Sequence, residues 1–324
     1  MSKAAWATEP DHAQTGWPKG VPYIIGNEGC ERFSFYGMKS ILQVHLTALF
    51  VMTAMEDKIA ATHAQEMVHL FIAGVYAFPM IGALIADRLW GKFNTIIWLS
   101  LVYCAGHAVL AMADLFDDGQ SMLNCMYVGL GLIAIGSGGI KPCVSANVGD
   151  QFGKGNWHLV PKVFQAFYFI INFGSFFATL LIPWLKEAYG PAVAFGLPGV
   201  LMFFATIWFW MGRSKFVHVP AKPGGKLGIY DAICSSSLFL GFIGLPLFFT
   251  KILGVPMLLV AMAMLIGLGL WIFKMRQAIE QDDGFLAVFF HSIGALTSGE
   301  NKKAIAASAT PTDKFDLSKH WLFA

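Results

Sequence analysis

The amino-acid sequence predicts an all-α polytopic membrane protein. Of its 324 residues, 56% are hydrophobic and only 13% are charged, and the mean hydropathy is +0.60. In soluble domains about a quarter of all residues are charged. A soluble fold of this length has too little interior to bury so much apolar surface. The net charge of +2 is too small to indicate a nucleic-acid partner.

Eight apolar runs are long enough to cross a bilayer, which takes roughly 20 helical residues per crossing. They cover residues 21–51, 68–86, 93–113, 121–148, 160–183, 192–211, 227–249 and 255–273. The eight runs therefore predict eight membrane-spanning helices, with the lipid bilayer as the surrounding partner.

Lysine and arginine concentrate in alternate connections between these runs, which sets the predicted orientation. The third connection carries Asp114, Asp117 and Asp118 and no basic residue. The even side carries Lys3, Lys19, Arg88, Lys92, Lys154, Lys162, Arg213, Lys215, Lys222, Lys226, Lys274 and Arg276. Basic residues favour the cytoplasmic side, so we expect a multi-pass protein of the cell membrane with both ends of this chain in the cytoplasm.

The chain divides into four predicted regions. Residues 1–20 form a cytoplasmic N-terminal tail, and residues 21–212 form a bundle of six helices. Residues 213–283 form a basic linker, beginning "RSKFVHVPAKPGGK", and a helical pair. Residues 284–324 contain a short apolar segment and a polar tail.

The first helix carries an unusual density of ionisable groups. In the stretch "GNEGCERFSFYGMKSIL", residues Glu28, Glu31, Arg32 and Lys39 lie within a dozen positions. Residues three or four apart share one face of a helix, and charges at such depth pair with one another or line a cavity. Two interpretations follow: a packed salt-bridge cluster, which is a weak source of stability, or the wall of a polar cavity.

Four motifs in order resemble those of one transporter family. The segment "EGCERFSFYGM" (28–38) is similar to the ExxERF(Y)YG signature of proton-dependent oligopeptide transporters, the POT branch of the major facilitator superfamily. The segments "GALIADRLWGKF" (82–93), "GSGGIKPCVSANVGDQF" (136–152) and "FYFIINFGS" (167–175) resemble three further motifs of that family. The resemblance covers residues 20 to 215 and implies a major facilitator N-terminal bundle followed by two inter-bundle helices.

The resemblance also implies roles for single residues. Proton coupling falls on Glu28, Glu31 and His69, and gating falls on Asp87 and Arg88. Substrate binding falls on Arg32, Tyr36, Tyr76, Lys141 and Asn172. Five of these residues also have a purely structural interpretation. Lys141 can be an interfacial lysine that snorkels, and the amide of Asn172 can bridge helices. Tyr36 and Tyr76 can pack in the core, and a lone histidine such as His69 is often interfacial.

One position departs from the family pattern. Phe35 stands where the family has the first tyrosine of its YYG sequence. The pocket therefore lacks one hydroxyl, and any substrate contact of that hydroxyl is lost.

The resemblance implies proton-coupled symport of di- and tripeptides by alternating access, with no enzyme activity, cofactor or metal. The family's second six-helix bundle is absent from this chain, which predicts an N-terminal half and makes the missing bundle a partner. Two alternatives stay open: a related transporter with a different anionic substrate, and a non-transporting truncated membrane subunit. A haem enzyme using His45, His69 or His107 is a distant further alternative.

Overall fold

The computed structural model describes residues 6–280, apart from the side chain of Lys251. Within that range the chain is helical, with no β-strand, and eight segments are long and apolar enough to cross a membrane. The predicted fold class and the predicted number of spans are confirmed. The predicted segment 284–324 lies outside the described residues, and the predicted domain boundaries stay predictions.

Nine α-helices occur within residues 6–280, and they follow the predicted spans. They are α1 (Val21–Met52), α2 (Asp57–Ala77), α3 (Pro79–Ile85), α4 (Lys92–Met112), α5 (Gly119–Asp150), α6 (Val160–Tyr189), α7 (Pro191–Met211), α8 (Gly225–Phe239) and α9 (Leu245–Ile279). A π-helical turn, Ala86–Trp90, joins α3 to α4, and another, Leu240–Gly244, joins α8 to α9. Gly254 interrupts α9 with a positive φ of 69°.

The second span differs most from its predicted bounds. It begins at Asp57 and continues through α2, α3 and the π-helical turn to Trp90, whereas the apolar run begins at residue 68. The earlier part is polar enough to escape a hydropathy criterion, although Ala60 and Ala64 are fully buried. His69 therefore lies about 18 Å along this helix from its start at 1.5 Å per residue, and not near its outer end.

The six-helix bundle is built around two sets of contacts. Helix α4 packs against α5 and α7, and α1 packs against α6 and α7. Small residues permit close approach between helices in membranes. The closest case joins α3 to α5, because a Cβ atom at Gly82 would overlap with the backbone of Gly139.

The N-terminal tail and the linker meet at the predicted cytoplasmic end. The Trp6 ring stacks on the His218 ring at 4.2 Å, and the His218 backbone N–H donates to Ala7 O at 2.7 Å. Burial lowers the pKa of His218 below its usual range, against the effect of its bond to the Arg213 carbonyl. The ring is thus neutral at pH 7, so this stack forms without a buried charge.

The linker also folds back on the π-helical turn that follows α3. Arg88 Nη1 lies 3.4 Å from Asp231 Oδ2 of α8, and the Lys222 N–H donates to Asp87 O at 2.8 Å. Gly228 lies so close to the Arg88 carbonyl that no larger residue fits there. These contacts fix α8 against the six-helix bundle.

Candidate functional site

The charged residues of α1 form one compact cluster. Arg32 Nε lies 2.6 Å from Glu28 Oε1 and 3.3 Å from Glu31 Oε2. The side chains of Glu28 and Glu31 are 2% and 0% exposed, and that of Arg32 is 15% exposed. One guanidinium therefore neutralises two buried carboxylates only in part, which leaves the trio with a formal charge of −1.

A serine that the sequence reasoning missed completes the cluster. Ser137 on α5 is fully buried, and its hydroxyl donates to Glu31 Oε1 at 2.5 Å. Its spacing was an available signal, because Ser137 precedes Lys141 by one helical turn and so shares its face. Glu31 is thus held from two helices, by a cation of α1 and a hydroxyl of α5.

Lys141 lies beside this cluster but contacts aromatic rings. Its Nζ atom lies 4.4 Å from the centre of the Phe35 ring and 5.5 Å from that of Tyr76. Among residues 6–280 no salt bridge joins Lys141 to a glutamate of α1. A cation over a ring face is stabilised by the ring quadrupole. The ring of Phe35, the residue that differs from the family pattern, therefore stabilises the ammonium group without neutralising it.

The other predicted substrate residues are two tyrosines near Lys141 and an asparagine of α6. Tyr36 is half-buried against Phe35, with ring centres 5.5 Å apart. Tyr76 is 73% exposed, and Asn172 is exposed on α6, where its amide donates to Tyr168 O at 2.7 Å. Helices α1, α2 and α5 therefore contribute to one open face, defined by Phe35, Tyr36, Tyr76 and Lys141.

His69 and Lys39 extend this face along the helix axes. His69 is exposed on α2, about 10 Å from Tyr76 at seven residues' separation. Lys39 is exposed on α1, two turns beyond Arg32, and lies within electrostatic range of Lys141. The open face is thus richer in cations than the closed cluster behind it.

Asp87 and Arg88 are not brought into this cluster. They lie in the π-helical turn at the end of the second span, where Arg88 pairs with Asp231 and the Asp87 carbonyl accepts from Lys222. Asp87 and Arg88 therefore form a separate group at the predicted cytoplasmic end, apart from the other eight predicted site residues.

Polar side chains continue behind Glu31 into the bundle. Asn27 and Ser100 are fully buried, and so is Tyr103. Their side-chain polar atoms have no hydrogen-bond partner among residues 6–280. The interior next to the cluster is therefore polar, a feature that apolar periodicity does not reveal. No group of three metal-ligating side chains occurs within the described part of the chain.

We expect Ser137→Ala to destabilise the protein more than Ser100→Ala. The first change removes a hydrogen bond to a buried carboxylate, worth about 1.5–3 kcal/mol, whereas Ser100 has no such bond to lose. Thermal unfolding in detergent measures both. Equal shifts in the two buried-serine variants would contradict a stabilising Ser137–Glu31 bond.

The fold and the α1 cluster define a class: a multi-pass helical membrane protein with buried ionisable groups inside its helical bundle. A family model described as "PTR2: POT family" matches residues 93–236. The chain therefore contains a POT family domain and has homologues among POT transporters. The recognition made from its four motifs is confirmed.

Relatives from several animals share this similarity. The chain is 40% identical over 236 residues to peptide transporter family 1 of Drosophila melanogaster, covering 70% of this chain and 30% of the relative. It is 42% identical over 221 residues to solute carrier family 15 member 2 of Danio rerio, covering 66% of this chain and 30% of the relative. The chain thus spans about 30% of the length of these curated relatives.

Solved structures agree with the fold. The POT family transporter PepTSo is 41% identical with a TM-score of 0.63, over 83% of this chain and 56% of that one. A proton dependent oligopeptide (POT) family transporter is 42% identical with a TM-score of 0.58, over 84% of this chain and 58% of that one. Both matched proteins are transporters and extend well beyond the matched part.

Proposed function

We propose that this chain is the N-terminal half of a proton-coupled symporter of di- and tripeptides. It works by alternating access in the cell membrane, with both ends of the chain cytoplasmic and a second six-helix bundle facing the open side. The relatives' printed names support the transport class, and the asymmetric distribution of basic residues supports the orientation.

One observation carries the proposal: two buried carboxylates share a single guanidinium. Glu28 and Glu31 compete for Arg32 Nε at 2.6 and 3.3 Å. When one glutamate takes up a proton, Arg32 loses part of its counter-charge and gains affinity for another carboxylate. The C-terminal carboxylate of a peptide is such a partner, and guanidinium geometry suits it. Protonation and peptide binding are thereby linked.

The open face supplies the other substrate contacts in this proposal. Lys141 lies over rings and has no salt bridge to a glutamate of α1 among residues 6–280, so its ammonium group adds attraction for the peptide carboxylate. Tyr36, Tyr76 and Asn172 offer hydroxyl and amide groups to the peptide backbone. His69, exposed on α2, takes up protons in this proposal.

Asp87 and Arg88 serve the cytoplasmic gate in this proposal. Their contacts with Lys222 and Asp231 couple the turn to the linker. For the cytoplasmic end to open, the π-helical turn and α8 would have to move together, or the contacts between them would have to break. We infer that the linker takes part in gating and is not a passive connection.

A second candidate is a related transporter with a different anionic substrate. Phe35 favours it, because the ring that contacts Lys141 has no hydroxyl to offer a peptide. The closed Glu28–Arg32–Glu31 cluster favours the peptide symporter. Competition of labelled dialanine by amino acids, dipeptides and other small anions distinguishes the two.

Uptake of labelled dialanine tests the proposal on the complete protein. The protein extracted from its native membranes is first weighed by mass spectrometry, then reconstituted in vesicles. A mass well above 35.4 kDa and uphill uptake driven by an inward proton gradient are expected. A native mass near 35.4 kDa, with no uptake, would instead favour the non-transporting subunit.

A further inference from the structure

An apolar groove lies between α4 and α7. It has a volume of about 170 Å³ and is lined by Ile97, Leu101, Phe203, Thr206, Ile207 and Trp210. The one polar side chain in this lining is satisfied, because the Thr206 hydroxyl donates to Met202 O at 2.8 Å. The groove therefore suits a hydrocarbon and offers nothing to a polar ligand.

The groove lies away from the open face that carries the proposed substrate residues. The open face is built from α1, α2 and α5, whereas α4 and α7 carry none of the proposed substrate or proton residues. Phe203 and Trp210 remain 47% and 48% exposed. Between these two residues the groove extends about 10 Å along α7, which fits within one leaflet of a hydrocarbon core about 30 Å thick.

A cation stands at one mouth of this groove. The Arg213 guanidinium lies 3.6 Å from the centre of the Trp210 ring, and its Nη1 donates to Trp210 O at 3.2 Å. Within residues 6–280 no carboxylate forms a salt bridge with Arg213. The mouth thus presents a fixed positive charge at the end of α7 that the sequence places at the cytoplasmic interface.

Tryptophans mark the same level of the bundle. Trp90 lies just before the start of α4 and Trp210 in the last turn of α7, and they are 49% and 48% exposed. Tryptophan rings favour the headgroup region of a bilayer. Arg213 is therefore at headgroup depth while the groove below it is at acyl-chain depth.

We propose that the groove binds one acyl chain of an anionic phospholipid from the cytoplasmic leaflet, with the lipid phosphate on Arg213. Charge complementarity selects this occupant, because a neutral lipid would leave the Arg213 charge unmatched by any net charge. A basic residue at this depth contributes about 1 kcal/mol to binding of anionic lipid, which corresponds to about a fivefold change in affinity.

Native mass spectrometry of the detergent-purified chain tests the site with two probes, dioleoyl phosphatidylglycerol and dioleoyl phosphatidylcholine. We expect the first bound molecule of phosphatidylglycerol to bind about fivefold more tightly than the first bound molecule of phosphatidylcholine. Arg213→Gln should remove that preference, Arg213→Lys should keep most of it, and Ile207→Trp should weaken both lipids by filling the groove. Lys162→Gln, at an exposed cation of the same membrane side on α6, is the matched control and should change nothing.

Two outcomes would overturn the proposal. Equal binding of the two lipids by the wild-type chain would show that the site does not select an anionic headgroup. A normal preference in Arg213→Gln, or unchanged lipid binding in Ile207→Trp, would place the bound lipid elsewhere. Unfolding temperatures of all variants are compared first, so that a misfolded variant is replaced by the milder Ile207→Phe.

Discussion

Replacing Glu31 by Gln should abolish uphill peptide accumulation while exchange of peptide across the membrane persists. The amide has the size of the carboxyl group and can still accept the hydrogen bond from Ser137, so the local packing is kept. It cannot change its charge, and the linkage between proton uptake and the state of Arg32 is lost. Counterflow of labelled dialanine needs no net proton movement and so measures the remaining carrier activity.

The control for this experiment is Glu187→Gln. Glu187 is an exposed glutamate near the C-terminal end of α6. It removes one carboxylate from the same bundle without touching the cluster, and both activities should be unaffected. Uphill accumulation by the Glu31 variant would remove Glu31 from the proton path. Loss of counterflow as well would mean that the change disables the carrier and does not uncouple it.

Replacing Arg32 by Lys should weaken peptide binding about 10- to 100-fold, although the charge is kept. Arg32 uses Nε to hold Glu28 and Glu31 and has its remaining N–H groups for a substrate carboxylate. A lysine ammonium is a compact point charge that cannot make these planar contacts together. A hydrogen bond to a charged group contributes about 1.5–3 kcal/mol, which gives the expected range.

A peptide with an amidated C-terminus separates the two possible causes of that loss. If Arg32 binds the substrate carboxylate, amidation should weaken binding to the wild type far more than to the variant, as in a double-mutant cycle. Arg213→Lys makes the same substitution outside the open face and should leave peptide affinity unchanged. Unaltered affinity in Arg32→Lys would rule out the carboxylate role.

The sequence predicted the spans well because lipid exposure imposes a simple rule on composition. Eight long apolar runs correspond to eight candidate spans among residues 6–280, and their ends agree to within six residues except where α2 begins. There the rule fails for a physical reason: a helix can continue through polar residues, and Asp57 to Met67 do so. Hydropathy therefore locates the apolar part of a helix and not its full length, which misplaced His69.

The cluster on α1 could be predicted because its members are neighbours along one helix. Glu28 and Arg32 are four residues apart, so their contact follows from helical periodicity alone. The partners from other helices could not be derived this way. Ser137 and the rings around Lys141 meet the cluster only through tertiary packing, which the sequence does not encode at any fixed spacing.

The close approach of Gly82 to Gly139 links the two groups of site residues mechanically. Gly139 precedes Lys141 by two residues, and Gly82 precedes Asp87 by five. Backbones in direct contact, with no side chain between them, cannot slide far or yield by a rotamer change. Any tilt of the α5 segment that carries Lys141 is therefore passed to the turn that carries Asp87 and Arg88. A displacement of the ammonium by a bound substrate would reach the predicted cytoplasmic end through a stiff joint rather than through a chain of flexible side chains.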